Sequence, residues 1–155
     1  MSHPGDARIK LVGIGNRYRG DDGVGLQVIE LLQQVLPLEK LATSDGDITD
    51  LMDVFTDHDE VVIIDAVQAP QVPGVVVQLD GCREALSDTG LRSSTHAMGL
   101  AEAVEMARSL GRLPQQLQIY GIVGKYFDNV EGLSDAVQAS ARKLAERLGK
   151  EYANA

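Results

Sequence analysis

The chain contains a single cysteine, Cys82, among its 155 residues. One thiol can form neither an intramolecular disulfide nor a thiolate metal cluster, so the sequence excludes both kinds of cross-link. No candidate base stands near Cys82 in the sequence. We interpret it as a small structural residue and not as a catalytic nucleophile.

The sequence also lacks any apolar run of about 18 residues, which is the length that a transmembrane helix needs. Residues 1–7 have neither the basic start nor the apolar segment of a signal peptide. We therefore expect a cytoplasmic protein without a membrane partner.

Positive charge is scarce, because 14 Lys and Arg residues face 23 Asp and Glu residues and the net charge is −9. This balance argues against nucleic acid or an anionic membrane surface as a partner. The apolar fraction of 44% and the charged fraction of 24% are ordinary for a globular protein. The length fits one domain with a sizeable core, and a monomer is the default expectation.

Runs rich in β-branched residues alternate with stretches of helical spacing, which is typical of an α/β domain with a mostly parallel sheet. We expect a single domain over residues 1–155, with an ordered core at 8–149 and frayed tails at 1–7 and 152–155. The predicted strands are 9–15, 40–44, 61–65, 74–79 and 117–123, and the predicted helices are 24–35, 48–55, 96–110 and 134–149.

Gly13 and Gly15 follow a predicted strand and precede a predicted helix, where a dinucleotide-binding turn would lie. Tyr18, however, occupies the position of the third glycine of that turn. Asp21 and Asp22 begin the helix, so a bound pyrophosphate would meet negative charge there. A nucleotide-dependent enzyme is therefore a disfavoured hypothesis.

Asp22, Asp65 and His96 each lie where an apolar run ends or a predicted helix begins. In an open α/β sheet this place is the rim at which ligands bind. Two carboxylates and one imidazole on one rim could hold a divalent metal ion, and this ligand set leaves nickel, zinc and manganese open.

Each candidate ligand also has a structural interpretation that the sequence leaves open. Asp21 and Asp22 could simply stabilise the start of a helix. Asp65 could organise a loop through hydrogen bonds, and a lone histidine is more often structural. His96 follows a predicted N-cap region, and a helix N-terminus would favour the neutral imidazole that binds metals.

Four motifs follow one another along the chain, at residues 13–25, 63–66, 94–100 and 121–127, and residues 132–134 follow the last of them. These four motifs resemble, in the same order, the signature motifs of the hydrogenase maturation proteases, the endopeptidases that complete the large subunit of [NiFe] hydrogenases. The resemblance covers roughly residues 8–148, and four motifs in order are more specific than any one of them.

The resemblance implies a doubly wound, three-layer α/β sandwich around a twisted, mostly parallel sheet. It also implies that Asp22, Asp65 and His96 bind nickel and carry the reaction of a metal-dependent or aspartyl-type peptidase. The implied partner is the nickel-loaded precursor of a [NiFe] hydrogenase large subunit, from which a C-terminal extension is cut. Nickel would arrive with this substrate and serve recognition, and a catalytic role for it stays open.

Two further hypotheses accompany this interpretation. A non-catalytic nickel-binding or escort module would use the same three ligands and cut nothing. Asp21 could help the peptidase reaction by orienting a group or transferring a proton.

Overall fold

Strands and helices alternate along residues 8–85, 92–93 and 99–153, the part of the chain that the computed structural model describes. The strands are β1 (Ile9–Ile14), β2 (Leu41–Ser44), β3 (Glu60–Gln68), β4 (Val76–Asp80), β5 (Arg92–Ser93) and β6 (Gln116–Val123). The helices are α1 (Val24–Leu32), α2 (Ile48–Asp57), α3 (Leu100–Ser109) and α4 (Asp135–Tyr152). A short 3₁₀ helix at Gly20–Gly23, hereafter the acidic turn, leads into α1, and another at Leu38–Lys40 precedes β2.

The strands form one sheet in the order β2-β1-β3-β6-β4, and β5 adds to β3. β1 runs parallel to β2 and β3, and β3 runs parallel to β6. β4 and β5 are antiparallel to their neighbours. The mostly parallel α/β fold predicted from the sequence is therefore confirmed.

Helices cover both faces of this sheet, which explains why the sequence of the central strand, β3, is a continuous apolar run. Every residue from position 61 to position 67 of β3 is buried, as expected for a strand between two layers of helices. α1 and α4 pack together on one face, and α2 and α3 pack together on the other. Within the described residues, no helix combines the length and the hydrophobicity needed to cross a membrane.

The strand order reverses at β1, because β2 lies on one side of β1 and β3 lies on the other. The connection from β1 to β2 passes through α1 on one face, and the connection from β3 to β6 passes through α3 on the other. This divergence leaves a crevice beyond the carboxyl ends of β1 and β3. Ligands of open α/β sheets bind in such a crevice. The fold places the segments that contain Asp22 and Asp65 on either side of it.

Two predicted boundaries near the site are wrong. α3 begins at Leu100, where Gly99 has extended backbone, and not at residue 96. β3 continues past Asp65 to Gln68, because its pairing with β6 runs on to Val67.

The predicted C-terminal boundary is also wrong, because α4 continues beyond residue 149 to Tyr152. The Tyr152 side chain is buried, and its hydroxyl donates a hydrogen bond of 2.7 Å to Glu60 Oε2. This contact fixes the end of α4 on the start of β3, so Tyr152 does not belong to a frayed tail. The predicted tail at 1–7, and residues 154–155 of the predicted tail at 152–155, lie outside the described residues.

Candidate functional site

Two glycines bring the start of α1 directly onto the sheet. A Cβ atom on Gly25 would lie 2.5 Å from the carbonyl oxygens of both Ile14 and Ile64. A Cβ atom on Gly13 would collide with the Gly25 carbonyl oxygen. The glycine-rich sequence after β1 thus serves close contact between helix and sheet, and this contact sets the acidic turn above β1 and β3.

The acidic turn is held against the end of β1 by its own backbone. The Asn16 N–H donates to the Asp22 carbonyl oxygen at 3.2 Å, and a Cβ atom on Gly15 would collide with that same oxygen. Gly20 adopts a left-handed conformation with φ +59°, which a residue with a side chain rarely adopts. The backbone of Asp22 is consequently fixed where the acidic turn contacts β3.

The Asp22 carboxylate is 1% exposed, and its Oδ2 lies 3.8 Å from Nη1 of Arg19, which is 27% exposed. A buried carboxylate is costly unless a cation or hydrogen bonds compensate its charge. The Arg19 guanidinium supplies part of this compensation from the solvent side of the turn.

Asp65 is fully buried in β3. The pairing of β3 with β1 ends at Ile64, opposite Gly13, whereas on the other side Asp65 pairs with Gly121 of β6. Asp65 therefore lies one residue beyond the point at which β1 leaves β3. It lies within the strand and not at the strand end that the sequence predicts.

The third predicted ligand, His96, lies outside the described residues. On its N-terminal side, Ser93 of β5 pairs with Val67 of β3, two residues beyond Asp65. On its C-terminal side, α3 begins at Leu100, and Gly99 is its N-cap residue.

The donor set of the described residues fits part of a divalent metal site. Asp22 and Asp65 supply carboxylate oxygens, which bind divalent ions including nickel. Among residues 8–85, 92–93 and 99–153, no group of three His, Cys, Asp or Glu side chains is arranged to hold a metal ion. A third ligand at this crevice would have to come from outside these residues, where His96 lies.

Asp21 has a role that the sequence did not reveal. Its carboxylate accepts hydrogen bonds from the backbone N–H groups of Lys125, Tyr126 and Ser134 and from the Ser134 hydroxyl, at 2.7 to 3.1 Å. A fully buried carboxylate with these contacts is a structural link between the turn and a distant segment of the chain. These contacts agree with the orienting role proposed for Asp21, and its role in proton transfer stays a hypothesis.

The capping interpretations also change. The N-cap positions of the acidic turn and of α1 are Arg19 and Gly23, and neither position has a side-chain cap hydrogen bond. Asp21 and Asp22 therefore do not cap α1. Ser134 is the N-cap residue of α4, but its hydroxyl donates to Asp21 and makes no cap hydrogen bond to the helix.

Cys82 is half-buried and lies on the α3 side of the sheet. Burial, and next the nearby Asp80 carboxylate, raise the pKa of the Cys82 thiol. Its Sγ contacts the Pro114 carbonyl oxygen at 3.4 Å. A thiol that is harder to ionise agrees with the structural role predicted for Cys82.

Comparisons with known proteins agree with this architecture. The sequence model described as hydrogenase maturation protease matches residues 26–151. The hydrogenase 2 maturation protease of Escherichia coli (strain K12) is 26% identical over 146 residues, which cover 91% of this chain and 88% of that protein.

Solved structures show the same fold. The hydrogenase maturating endopeptidase HybD from E. coli superposes with a TM-score of 0.73 at 24% identity, covering 91% of this chain and 89% of that one. The [NiFe] hydrogenase maturation protease HybD from Thermococcus kodakarensis superposes with a TM-score of 0.71 at 26% identity, covering 93% and 98%. The match of the family model over most of the chain, together with these relatives, shows that this protein is an endopeptidase of the hydrogenase maturation protease family.

Proposed function

We propose that this protein removes a C-terminal extension from the nickel-loaded precursor of a [NiFe] hydrogenase large subunit. In this proposal, Asp22, Asp65 and His96 bind the nickel ion that the precursor carries. The observation that carries the proposal is the placement of two buried carboxylates, Asp22 and Asp65, at one topological switch point of the sheet.

The burial of these carboxylates supports a role in binding a cation. A folded chain retains buried anionic groups at a cost, and a divalent ion held between them offsets that cost. Arg19 compensates Asp22 across 3.8 Å and is itself partly exposed. It can therefore swing towards solvent when an ion approaches Asp22.

His96 would complete the ligand set from the segment between β5 and α3. It follows Ser93 by three residues, and three residues of chain reach at most about 10 Å. Because Ser93 pairs with β3 just beyond Asp65, this reach is compatible with a shared site.

In this proposal the protein recognises the precursor by coordinating the nickel ion that the precursor carries. A precursor without nickel would present nothing for the two carboxylates and the imidazole to bind, so cleavage would depend on prior nickel insertion. A divalent ion in such a site can also polarise a carbonyl group or lower the pKa of a bound water molecule.

The test compares nickel-free and nickel-loaded precursor with the purified enzyme, and mass spectrometry measures the released peptide. We expect cleavage of the loaded precursor only. Asp22→Asn, Asp65→Asn and His96→Ala should each lower the rate by more than about 100-fold, since even residues that only support metal ligands account for 10- to 100-fold. Equal cleavage of both precursors would refute the proposed role of nickel.

Matched control variants separate ligand loss from general damage. Asp53→Asn removes one exposed carboxylate from α2, and His58→Ala removes an imidazole whose Nδ1 donates to the Val54 carbonyl oxygen. Both should cleave the loaded precursor like the wild type. A wild type that binds the loaded precursor without releasing a peptide would instead indicate an escort module.

A further inference from the structure

The Asp21 carboxylate links two segments that lie 104 to 113 residues apart in the sequence. One is the acidic turn, and the other is the β6–α4 loop, defined as residues 124–134. Oδ2 accepts from the N–H groups of Lys125 and Tyr126 at 2.7 and 3.1 Å and from the Ser134 hydroxyl at 2.9 Å. Oδ1 accepts from the Ser134 N–H at 2.7 Å. Both oxygens of this buried carboxylate are therefore occupied.

The backbone of the acidic turn also donates hydrogen bonds to the β6–α4 loop. The Asp21 N–H donates to the Tyr126 carbonyl oxygen at 2.7 Å, and the Gly20 N–H donates to the Val130 carbonyl oxygen at 2.6 Å. Gly124 permits the close approach, because a Cβ atom there would lie 3.1 Å from Asp21 Cβ. The turn and the loop thus hold each other through backbone and side chain together.

This link adds side-chain hydrogen bonds to the backbone contacts that hold the acidic turn against β1. The acidic turn is four residues long, it starts at a glycine with positive φ, and its N-cap Arg19 makes no side-chain cap hydrogen bond. Asp22 is the next residue after Asp21, so any movement of Asp21 moves the Asp22 carboxylate. Charge-assisted hydrogen bonds are the strong ones among those that a protein forms, and they are suited to fixing such a turn.

We propose that Asp21 is a positioning residue, which fixes the direction of the Asp22 carboxylate by fastening the acidic turn to the β6–α4 loop. This inference rests on the proposed role of Asp22 as a nickel ligand. It assigns the two adjacent aspartates different tasks, since the Asp21 carboxylate is bound to the β6–α4 loop and the Asp22 carboxylate is the proposed ligand.

Asparagine cannot replace Asp21 in this geometry. Each carboxylate oxygen faces a backbone N–H group, so either orientation of an Asn amide would direct its NH₂ donor at another donor. We therefore expect Asp21→Asn to lower kcat/KM for the nickel-loaded precursor by at least about tenfold, the range typical of residues that orient metal ligands. Amide hydrogen exchange at Gly20 and Asp22, measured without substrate or metal, should become faster in the same variant.

Variants of Ser134 keep the test decisive if Asp21→Asn folds poorly. Ser134→Ala removes one of the four hydrogen bonds to Asp21, and we expect a smaller loss of kcat/KM. Ser134→Thr keeps a hydroxyl and should retain more activity than Ser134→Ala. Tyr152→Phe removes a hydrogen bond at the opposite end of the sheet, so at a comparable loss of stability it should cleave within about twofold of the wild type.

A double-mutant cycle distinguishes positioning from general destabilisation. We expect Asp21→Asn to cost less in an Asp22→Glu background than in the wild type, because a residue that acts through Asp22 is coupled to it. Losses that simply multiply, or an Asp21→Asn enzyme as active as Tyr152→Phe, would overturn the inference. An active Asp21→Asn beside an inactive Asp22→Asn overturns this inference alone, whereas an active Asp22→Asn overturns the proposed function and this inference with it.

Discussion

Replacing Gly25 by alanine has two opposite effects on stability: it raises helix propensity, and it crowds the contact between α1 and the sheet. Gly25 lies in the first turn of α1, where alanine would ordinarily favour the helix by about 1 kcal/mol. The new Cβ atom, however, would lie 2.5 Å from the carbonyl oxygens of Ile14 and Ile64 and 2.8 Å from the Ile14 nitrogen. These are backbone atoms of β1 and β3, which cannot rotate away as a side chain can.

The free-energy cost of the clash should exceed the gain from helix propensity. Overpacking a well-packed core costs about 1–3 kcal/mol, and the fixed backbone at this contact favours the upper end of that range. After the gain in propensity, we expect Gly25→Ala to lower the free energy of unfolding by about 2 kcal/mol. For a chain of this size, that loss corresponds to a decrease in Tm of about 4–8 °C. Relief of the clash would lift α1 from the sheet and displace Asp22, so cleavage should fall as well.

Urea unfolding followed by circular dichroism measures the stability change, with Gly149→Ala as the matched control. Gly149 lies in α4, where a Cβ atom would meet Val35 Cγ2 at 3.0 Å. That neighbour is an exposed side chain that can move. We expect Gly149→Ala to leave stability unchanged or to raise it by up to about 1 kcal/mol. A Gly25→Ala protein as stable as the wild type would refute the packing argument.

Three further predictions concern single contacts. Burial, together with the hydrogen bond to Glu60, raises the pKa of Tyr152 above its ordinary value of 10.0. Because the folded state holds this proton more tightly, the free energy of unfolding should decline as the pH rises above about 10, and it should decline less in Tyr152→Phe. Urea unfolding at neutral pH should show that Tyr152→Phe loses about 1 kcal/mol. Arg19→Gln removes a cation that competes for Asp22 and should tighten nickel binding in calorimetry by up to about fivefold, the equivalent of about 1 kcal/mol. Cys82→Ala should keep full peptidase activity, and the native thiol should react slowly with iodoacetamide because its pKa is raised.

Each of these has an outcome that would count against it. Parallel pH–stability curves for the wild type and Tyr152→Phe would remove the linkage argument. Arg17→Gln, which changes an exposed arginine beside the same turn, is the control for Arg19, and an equal gain in affinity there would show a general charge effect. Loss of activity in folded Cys82→Ala would contradict a structural role for the thiol.

The sequence predicted the order and type of the elements well, because β-branched runs and helical spacing are local signals. It misplaced the boundaries that tertiary contacts decide. β3 continues past Asp65 because β6 offers backbone partners up to Val67. α4 continues to Tyr152 because the Tyr152 hydroxyl donates a hydrogen bond to Glu60 at the start of β3. Neither partner is near in the sequence, so no local pattern could reveal them.

For the candidate site, too, the sequence revealed one part and tertiary contacts revealed the other. Motifs around Asp22, Asp65 and His96 identified the family from the sequence alone, since motif order survives where overall identity is low. The separate tasks of Asp21 and Asp22 were not readable, because adjacent carboxylates at a helix start look alike until their surroundings are known. The hydrogen bonds from the β6–α4 loop distinguish them.

By itself the sequence determined an α/β domain, the family and three candidate nickel ligands, because these depend on residue types in a fixed order. Only the tertiary structure decided that the glycines after β1 serve contact between α1 and the sheet, that Asp22 and Asp65 are buried at one switch point, and that Asp21 fastens a distant loop. These features depend on which backbone atoms meet across long stretches of chain, and that is settled by packing and hydrogen bonding in three dimensions.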